Sequence, residues 1–134
     1  MMSLKERKIR ELVPLPKDQK HITERWVFVK KSNYRTKACF VGKGFIQVFG
    51  IDYEETFSPV AIFETLHFII SLSTLHNGEL EVLDVKMAFF YGKLDKEIYM
   101  QQPEGYVIKG KETYVCKLQK SIYGLKQAAL QWNK

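Results

Sequence analysis

The sequence predicts an α+β fold, and three observations carry that expectation. Aromatic and β-branched residues gather in two short runs, residues 26–30 and 34–41, separated by a polar turn. Apolar residues then recur at helical spacing over residues 61–76. Further short apolar runs follow without the regular strand–helix alternation of a parallel sheet. The expected architecture is an antiparallel ribbon with helices packed on a small sheet.

The elements follow in chain order. Residues 1–25 are charged and punctuated by Pro14 and Pro16, compatible with a short helix over 4–12 and equally with a loosely ordered leader. Trp26, Val27, Phe28 and Val29 favour a strand, Lys31-Ser32-Asn33 a turn, and residues 34–41 a returning strand. Gly42 and Gly44 loosen the backbone before Phe45, and residues 52–59 make a polar connector ending at Pro59. Ile62, Phe63, Leu66, Ile69 and Ile70 define an apolar stripe, and Asn77-Gly78 stops that helix because both residues tolerate positive φ. Short strands are expected at 79–85, 97–100 and 113–118, with helix over 120–132. The stripe needs a sheet face to cover it. The helix is therefore expected beside the ribbon, with the Asp84 strand in a small antiparallel sheet.

Composition narrows the classes. The 21 Lys and Arg against 15 Asp and Glu give a net charge of +6, compatible with a polyanionic partner without identifying one. No apolar run approaches the roughly 20 residues of a membrane helix. Cys39 and Cys116 lie far apart, without the paired spacing of a zinc site, so a cytoplasmic or nuclear setting and no membrane are expected. Gly42-Lys43-Gly44 lacks the spacing of a phosphate loop. No Ser or Cys sits in a hydrolase signature.

Two features carry candidate chemistry. Asp84 ends the apolar run Val82-Leu83, where a carboxylate can reach Mg²⁺, an ion that completes its shell with water and substrate phosphates. The plainer alternative is an Asp capping the next turn. Lys30, Lys31, Arg35, Lys37 and Lys43 interleave with aromatic residues along the ribbon, a pattern that can track a nucleic-acid backbone. The alternative there is a solvated strand face whose aromatics form core.

Four longer strings are more specific. They are Gly50-Ile51-Asp52-Tyr53-Glu54-Glu55-Thr56-Phe57-Ser58-Pro59-Val60, then Leu83-Asp84-Val85-Lys86-Met87-Ala88-Phe89, then Glu97-Ile98-Tyr99-Met100-Gln101-Gln102-Pro103-Glu104-Gly105-Tyr106, then Ser121-Ile122-Tyr123-Gly124-Leu125-Lys126-Gln127-Ala128. In this order and spacing the chain resembles the copia-type retrotransposon reverse transcriptases. The resemblance covers residues 26–134 and implies the fingers and first part of the palm of a right-hand polymerase, incomplete at its C-terminal side.

The resemblance implies roles residue by residue. Asp84 would be the first catalytic, metal-binding aspartate, with the Val85 carbonyl beside it and Mg²⁺ as the cofactor. Phe89 would pack under the incoming sugar. Lys37 and Lys43 would reach the triphosphate, while Tyr123, Lys126 and Gln127 would lie under the nucleotide. Lys30, Lys31 and Arg35 remain expected nucleic-acid contacts by the ribbon's charge pattern alone. The implied partners are an RNA template, a DNA primer, dNTPs and the remaining polymerase segments of a polyprotein.

Departures from the family pattern matter as well. Family members supply further aspartates from a later Tyr/Phe-x-Asp-Asp turn, and residues 1–134 contain no Asp-Asp pair. Family copies usually carry Arg where this chain has Cys39, so a bidentate phosphate contact is lost. Ile62, His67, Ala129 and Leu130 depart similarly. Three readings follow: a reverse transcriptase fragment that is inactive alone, a domesticated nucleic-acid-binding or interaction module, and an inert transposon relic.

Overall fold

A computed structural model of the chain describes residues 9–30, 32, 34 and 36–134. Its centre is a four-stranded sheet in the order β1-β6-β5-β2, formed by β1 (Arg10–Pro14), β2 (His21–Ile22), β5 (Tyr99–Met100) and β6 (Tyr114–Leu118). β6 pairs antiparallel with β1, setting Leu12 against Cys116, and with β5, setting Met100 against Cys116. β2 runs parallel to β5, with Ile22 against Met100. Ile9, Ile22, Met100, Cys116 and Leu118 bury their side chains together, joined by Ile98, Ile122 and Leu125.

The expected ribbon is present as β3 (Glu24–Lys30) and β4 (Thr36–Gly42), antiparallel, with Trp26 directly opposite Phe40. Their rings lie 5.2 Å apart, and the buried Phe40 carries the ribbon base into the core. Its turn, expected at 31–33, falls partly outside the described residues.

Four expectations need correction. Residues 10–14, read as the end of a short helix or as loose leader, form a sheet strand. The reason is that Leu12 and Val13 find ladder partners in Cys116 and Val115, which no local pattern reveals. The helix at 61–76 forms as α1 (Phe63–Leu75) and stops as expected, with Asn77 at φ 51° and Gly78 N–H donating to the Ser73 carbonyl. It does not pack beside the ribbon: Ile62, Leu66 and Ile69 are 59, 49 and 49% exposed, and none of its residues is buried. Its apolar side chains also run round most of its circumference rather than forming one stripe.

The strand expected at 79–85 is absent: this segment carries no ladder, and Val82 is 95% exposed. A strand needs a neighbour to satisfy its backbone, and among the described residues none lies alongside. The helix expected over 120–132 is shortened to α2 (Ala128–Asn133), because Gly124 at φ 90° turns the chain before it. α2 lies against a 3₁₀ turn at Ala88–Tyr91. No helix among the described residues is long and apolar enough to cross a membrane.

Candidate active site

The site begins with a backbone reversal. Met87 holds φ 59°, a left-handed conformation uncommon for a side-chain-bearing residue. Phe90 N–H then donates to the Met87 carbonyl at 2.9 Å, and the 3₁₀ turn follows. The reversal separates Asp84 and Val85 on its near side from Phe89 and Phe90 on its far side. Both rings meet Tyr123: Phe89 at 4.7 Å between centroids, and Phe90 edge-on at 6.1 Å.

Tyr123 is fixed from the ribbon. Gly42 N–H donates to the Tyr123 carbonyl at 2.8 Å, and Gly44 N–H to the Gly124 carbonyl at 3.1 Å. Glycine is required on both sides of this junction. A Cβ on Gly44 would stand 2.0 Å from the Gly124 oxygen, and one on Gly124 would stand 2.1 Å from the Gly42 oxygen.

These constraints enclose a cleft of about 450 Å³. One wall is the ribbon, contributing Trp26, Lys37 and Cys39; the other is the Asp84–Met87 segment, with Tyr123 and the buried Phe90 between them. The cleft therefore unites Lys37, Asp84, Val85 and Tyr123, four of the residues singled out from sequence, with the Phe89 ring tilted against the last. Two cations, Lys37 and Lys86, and one exposed carboxylate, Asp84, face an aromatic floor, an arrangement suited to a phosphorylated ligand with a flat ring or sugar. Cys39 lines the cleft together with Lys37.

Other sequence candidates lie elsewhere. Lys43, Lys126 and Gln127 do not line this cleft. Lys43 sits half-buried at the ribbon base, its N–H donating to the Thr23 carbonyl. Lys126 is exposed, and Gln127 is buried with its amide donating to the Asp52 carbonyl at 3.0 Å. Lys30 stands 5.7 Å from the Tyr34 ring centroid near the ribbon's outer end. Lys31 and Arg35 lie outside the described residues.

A smaller cleft of about 110 Å³ gathers Glu54, Glu55 and Asp95 near α2. Two of its acids are already paired, Glu54 with Lys96 at 2.6 Å and Asp95 with Lys134 at 2.6 Å. The Lys134 hydrogen bond, with one from Gln131, holds the Asp95 carboxyl below the usual range. Among the described residues, no three His, Cys, Asp or Glu side chains come together to hold a metal ion.

Sequence reading missed Met87 and Phe90 as parts of the site and named Trp26 only among the ribbon aromatics. The strain at Met87 had no signal, because Gly, Asn and Asp are the usual markers of that conformation.

The comparisons with known proteins follow the same residues. The family described as reverse transcriptase (RNA-dependent DNA polymerase) matches residues 7–134. The retrovirus-related Pol polyprotein from transposon TNT 1-94 of Nicotiana tabacum is 47% identical over 98% of this chain and 10% of its own length. That from transposon RE2 of Arabidopsis thaliana is 43% identical over 91% of the chain and 9% of its own length. The transposon Ty1-H Gag-Pol polyprotein of Saccharomyces cerevisiae is 29% identical over 83% of the chain and 6% of its own length. The chain thus spans about a tenth or less of these relatives. No solved structure matches significantly.

Proposed function

Because the chain belongs to the reverse transcriptase (RNA-dependent DNA polymerase) family, we propose that its 450 Å³ cleft is the nucleotide side of a polymerase active site. The observation that carries this reading is the meeting of Asp84, Lys37 and Tyr123 across one opening, from segments far apart in sequence. In this reading residues 26–134 are fingers and part of a palm, and RNA template, DNA primer and dNTP are the partners. Lys37 draws the triphosphate, Tyr123 and Phe89 form the surface under its sugar, and Asp84 with the Val85 carbonyl faces the reacting phosphate. Lys126 and Gln127 support this surface from behind. Lys43 stiffens the ribbon base, and Lys30, with Lys31 and Arg35, meets the nucleic-acid backbone.

Mg²⁺ is the cofactor expected of the family. Nucleotidyl transfer by two metals needs more than one anchoring carboxylate. Asp84 is the one acid in the cleft, and no metal-holding cluster occurs among the described residues. The residues present do not complete that site, so residues 1–134 alone bind without turning over. The same observation favours the second reading, a nucleic-acid-binding module without catalysis.

Primer extension on an RNA template, with Mg²⁺ and four dNTPs, tests the proposal. The isolated chain gives no product above a no-protein control. Fused to the remaining polymerase segment of the TNT 1-94 relative, it extends the primer, and Asp84→Asn removes that activity. Extension by the fusion that survives Asp84→Asn would show that the site is misplaced.

A further inference from the structure

We propose that Gln47 is a positioning residue for the cleft: its side chain sets where Tyr123 and Phe89 stand relative to the ribbon. The inference rests on the nucleotide reading above and adds a residue that lines no part of the cleft.

Gln47 lies just beyond the ribbon and is 6% exposed. Its Oε1 accepts the Lys126 backbone N–H at 2.8 Å, and its Nε2 donates to Gln127 Oε1 at 3.2 Å. Gln127, 3% exposed, passes the polarity on by donating Nε2 to the Asp52 carbonyl. The orientation of both amides is forced. A backbone N–H must face an oxygen at one end and a backbone carbonyl must face an N–H at the other, so neither amide can flip without two donors or two acceptors colliding.

The strip from Tyr123 to Gln127 is therefore held at both ends by one short stretch of chain. Gly42 and Gly44 grip Tyr123 and Gly124 through backbone hydrogen bonds. Gln47, three residues after Gly44, grips Lys126 and Gln127. With either end released, the strip could pivot about Gly124, whose φ of 90° already marks a sharp turn. With both ends held, the ribbon carrying Lys37 and Cys39 moves as one body with Tyr123, whose ring stays seated against Phe89 of the separate 3₁₀ turn. Removing the Gln47 amide leaves the part-buried Lys126 N–H and the buried Gln127 Oε1 without these partners, and an unmet hydrogen bond at the buried oxygen is costly. That penalty favours release of the strip.

The two cysteines supply the test. Cys39 lines the cleft and reports on its wall, whereas Cys116 is buried between β1 and β5 and reports on the fold. In the 134-residue chain, Gln47→Leu is expected to abolish the ring-to-ring NOEs between Phe89 and Tyr123. It is also expected to change Cys39 alkylation by iodoacetamide roughly 3- to 10-fold, the range of one net hydrogen bond. Cys116 stays protected throughout. Wild-type NOEs and an unchanged Cys39 rate in the folded variant overturn the proposal.

If Gln47→Leu exposes Cys116, Gln47→Glu decides, since it keeps an acceptor for the Lys126 N–H and loses only the donor. Weakened NOEs with Cys116 protected support the proposal, and wild-type NOEs overturn it. Unfolding of both variants overturns it too, because Gln47 would then hold the whole fold rather than the cleft. The nucleotide reading is judged separately, by whether dATP with Mg²⁺ slows Cys39 alkylation in the unaltered chain. Its failure leaves the NOE result standing.

Discussion

Leu12 stands directly across from Cys116, so the N-terminal strand covers the outer side of β6, whose Val115, Cys116 and Leu118 are buried. β6 lies between β1 and β5, and it would become an edge if β1 were absent. Just before β1, Ile9 is 1% exposed, and its carbonyl accepts the Gln119 N–H at 2.8 Å. Ile9→Ala is expected to destabilise the chain by about 2–5 kcal/mol, the usual cost of emptying a buried aliphatic site. Urea unfolding followed by circular dichroism measures it. A change within error of zero would mean that the leader is not part of the fold.

The junction at Gly124 predicts a contrast between two glycines. Gly124→Ala drives a methyl group to 2.1 Å from the Gly42 oxygen and adds left-handed strain at φ 90°. Gly50→Ala adds left-handed strain at φ 82° but meets nothing within 4 Å. The second is expected to cost about 1–2 kcal/mol, the steric penalty alone. The first should cost clearly more and disturb the Tyr123 resonances. Equal losses in urea midpoint would show that the close approach is relieved elsewhere.

Nucleic-acid binding by the ribbon is expected to be weak, sequence-independent and strongly salt-dependent. No Asp or Glu occurs between Trp26 and Asp52, so phosphate meets unopposed basic side chains there. If about four phosphates are neutralised, log K falls with log salt at a slope of roughly −3 to −4 on duplex. Lys37→Glu combined with Lys43→Glu should abolish binding in a fluorescence anisotropy titration, whereas Asp84→Asn leaves it intact or slightly tighter. A flat salt response would exclude the ribbon as the binding surface.

Acid should loosen the small sheet through Glu97. Lys117 donates to its carboxylate, Tyr99 Oη donates to it at 2.7 Å, and these contacts hold its pKa below the usual carboxylate range. Asp95 is lowered for the same kind of reason, first by Lys134. A depressed carboxylate binds fewer protons folded than unfolded. Its stabilisation is therefore complete above the ordinary carboxylate range and is lost as pH falls through the depressed value. The urea midpoint is expected to drop between about pH 6 and about pH 3. Glu97→Gln should make that acid limb shallower, and identical limbs for the two proteins would remove Glu97 from the account.

Locally encoded structure was legible without coordinates. The ribbon was readable because β-branched and aromatic runs flank a turn, and the end of α1 because Asn77 and Gly78 accept unusual backbone angles. The family was legible because its strings are long and ordered. Asp84, Lys37, Val85 and Tyr123 were reachable as separate candidates, and the cleft brings them together. Lys43, Lys126 and Gln127 were reachable too, but a motif does not say which of its side chains face a cavity and which face the interior.

What the sequence determined by itself was the set of short-range elements and the family, since propensity, turn chemistry and motif spacing are properties of neighbouring residues. Tertiary structure alone decided the rest. Residues 10–14 became a strand because β6 offered a ladder, whereas residues 79–85 did not because no described strand lies beside them. The apolar residues of α1 announced a helix, but a hydrophobic pattern states a need for cover and cannot supply it. Gln47 found Lys126 and Gln127 only when the chain closed on itself, because a side-chain amide acquires meaning from partners that sequence proximity does not provide.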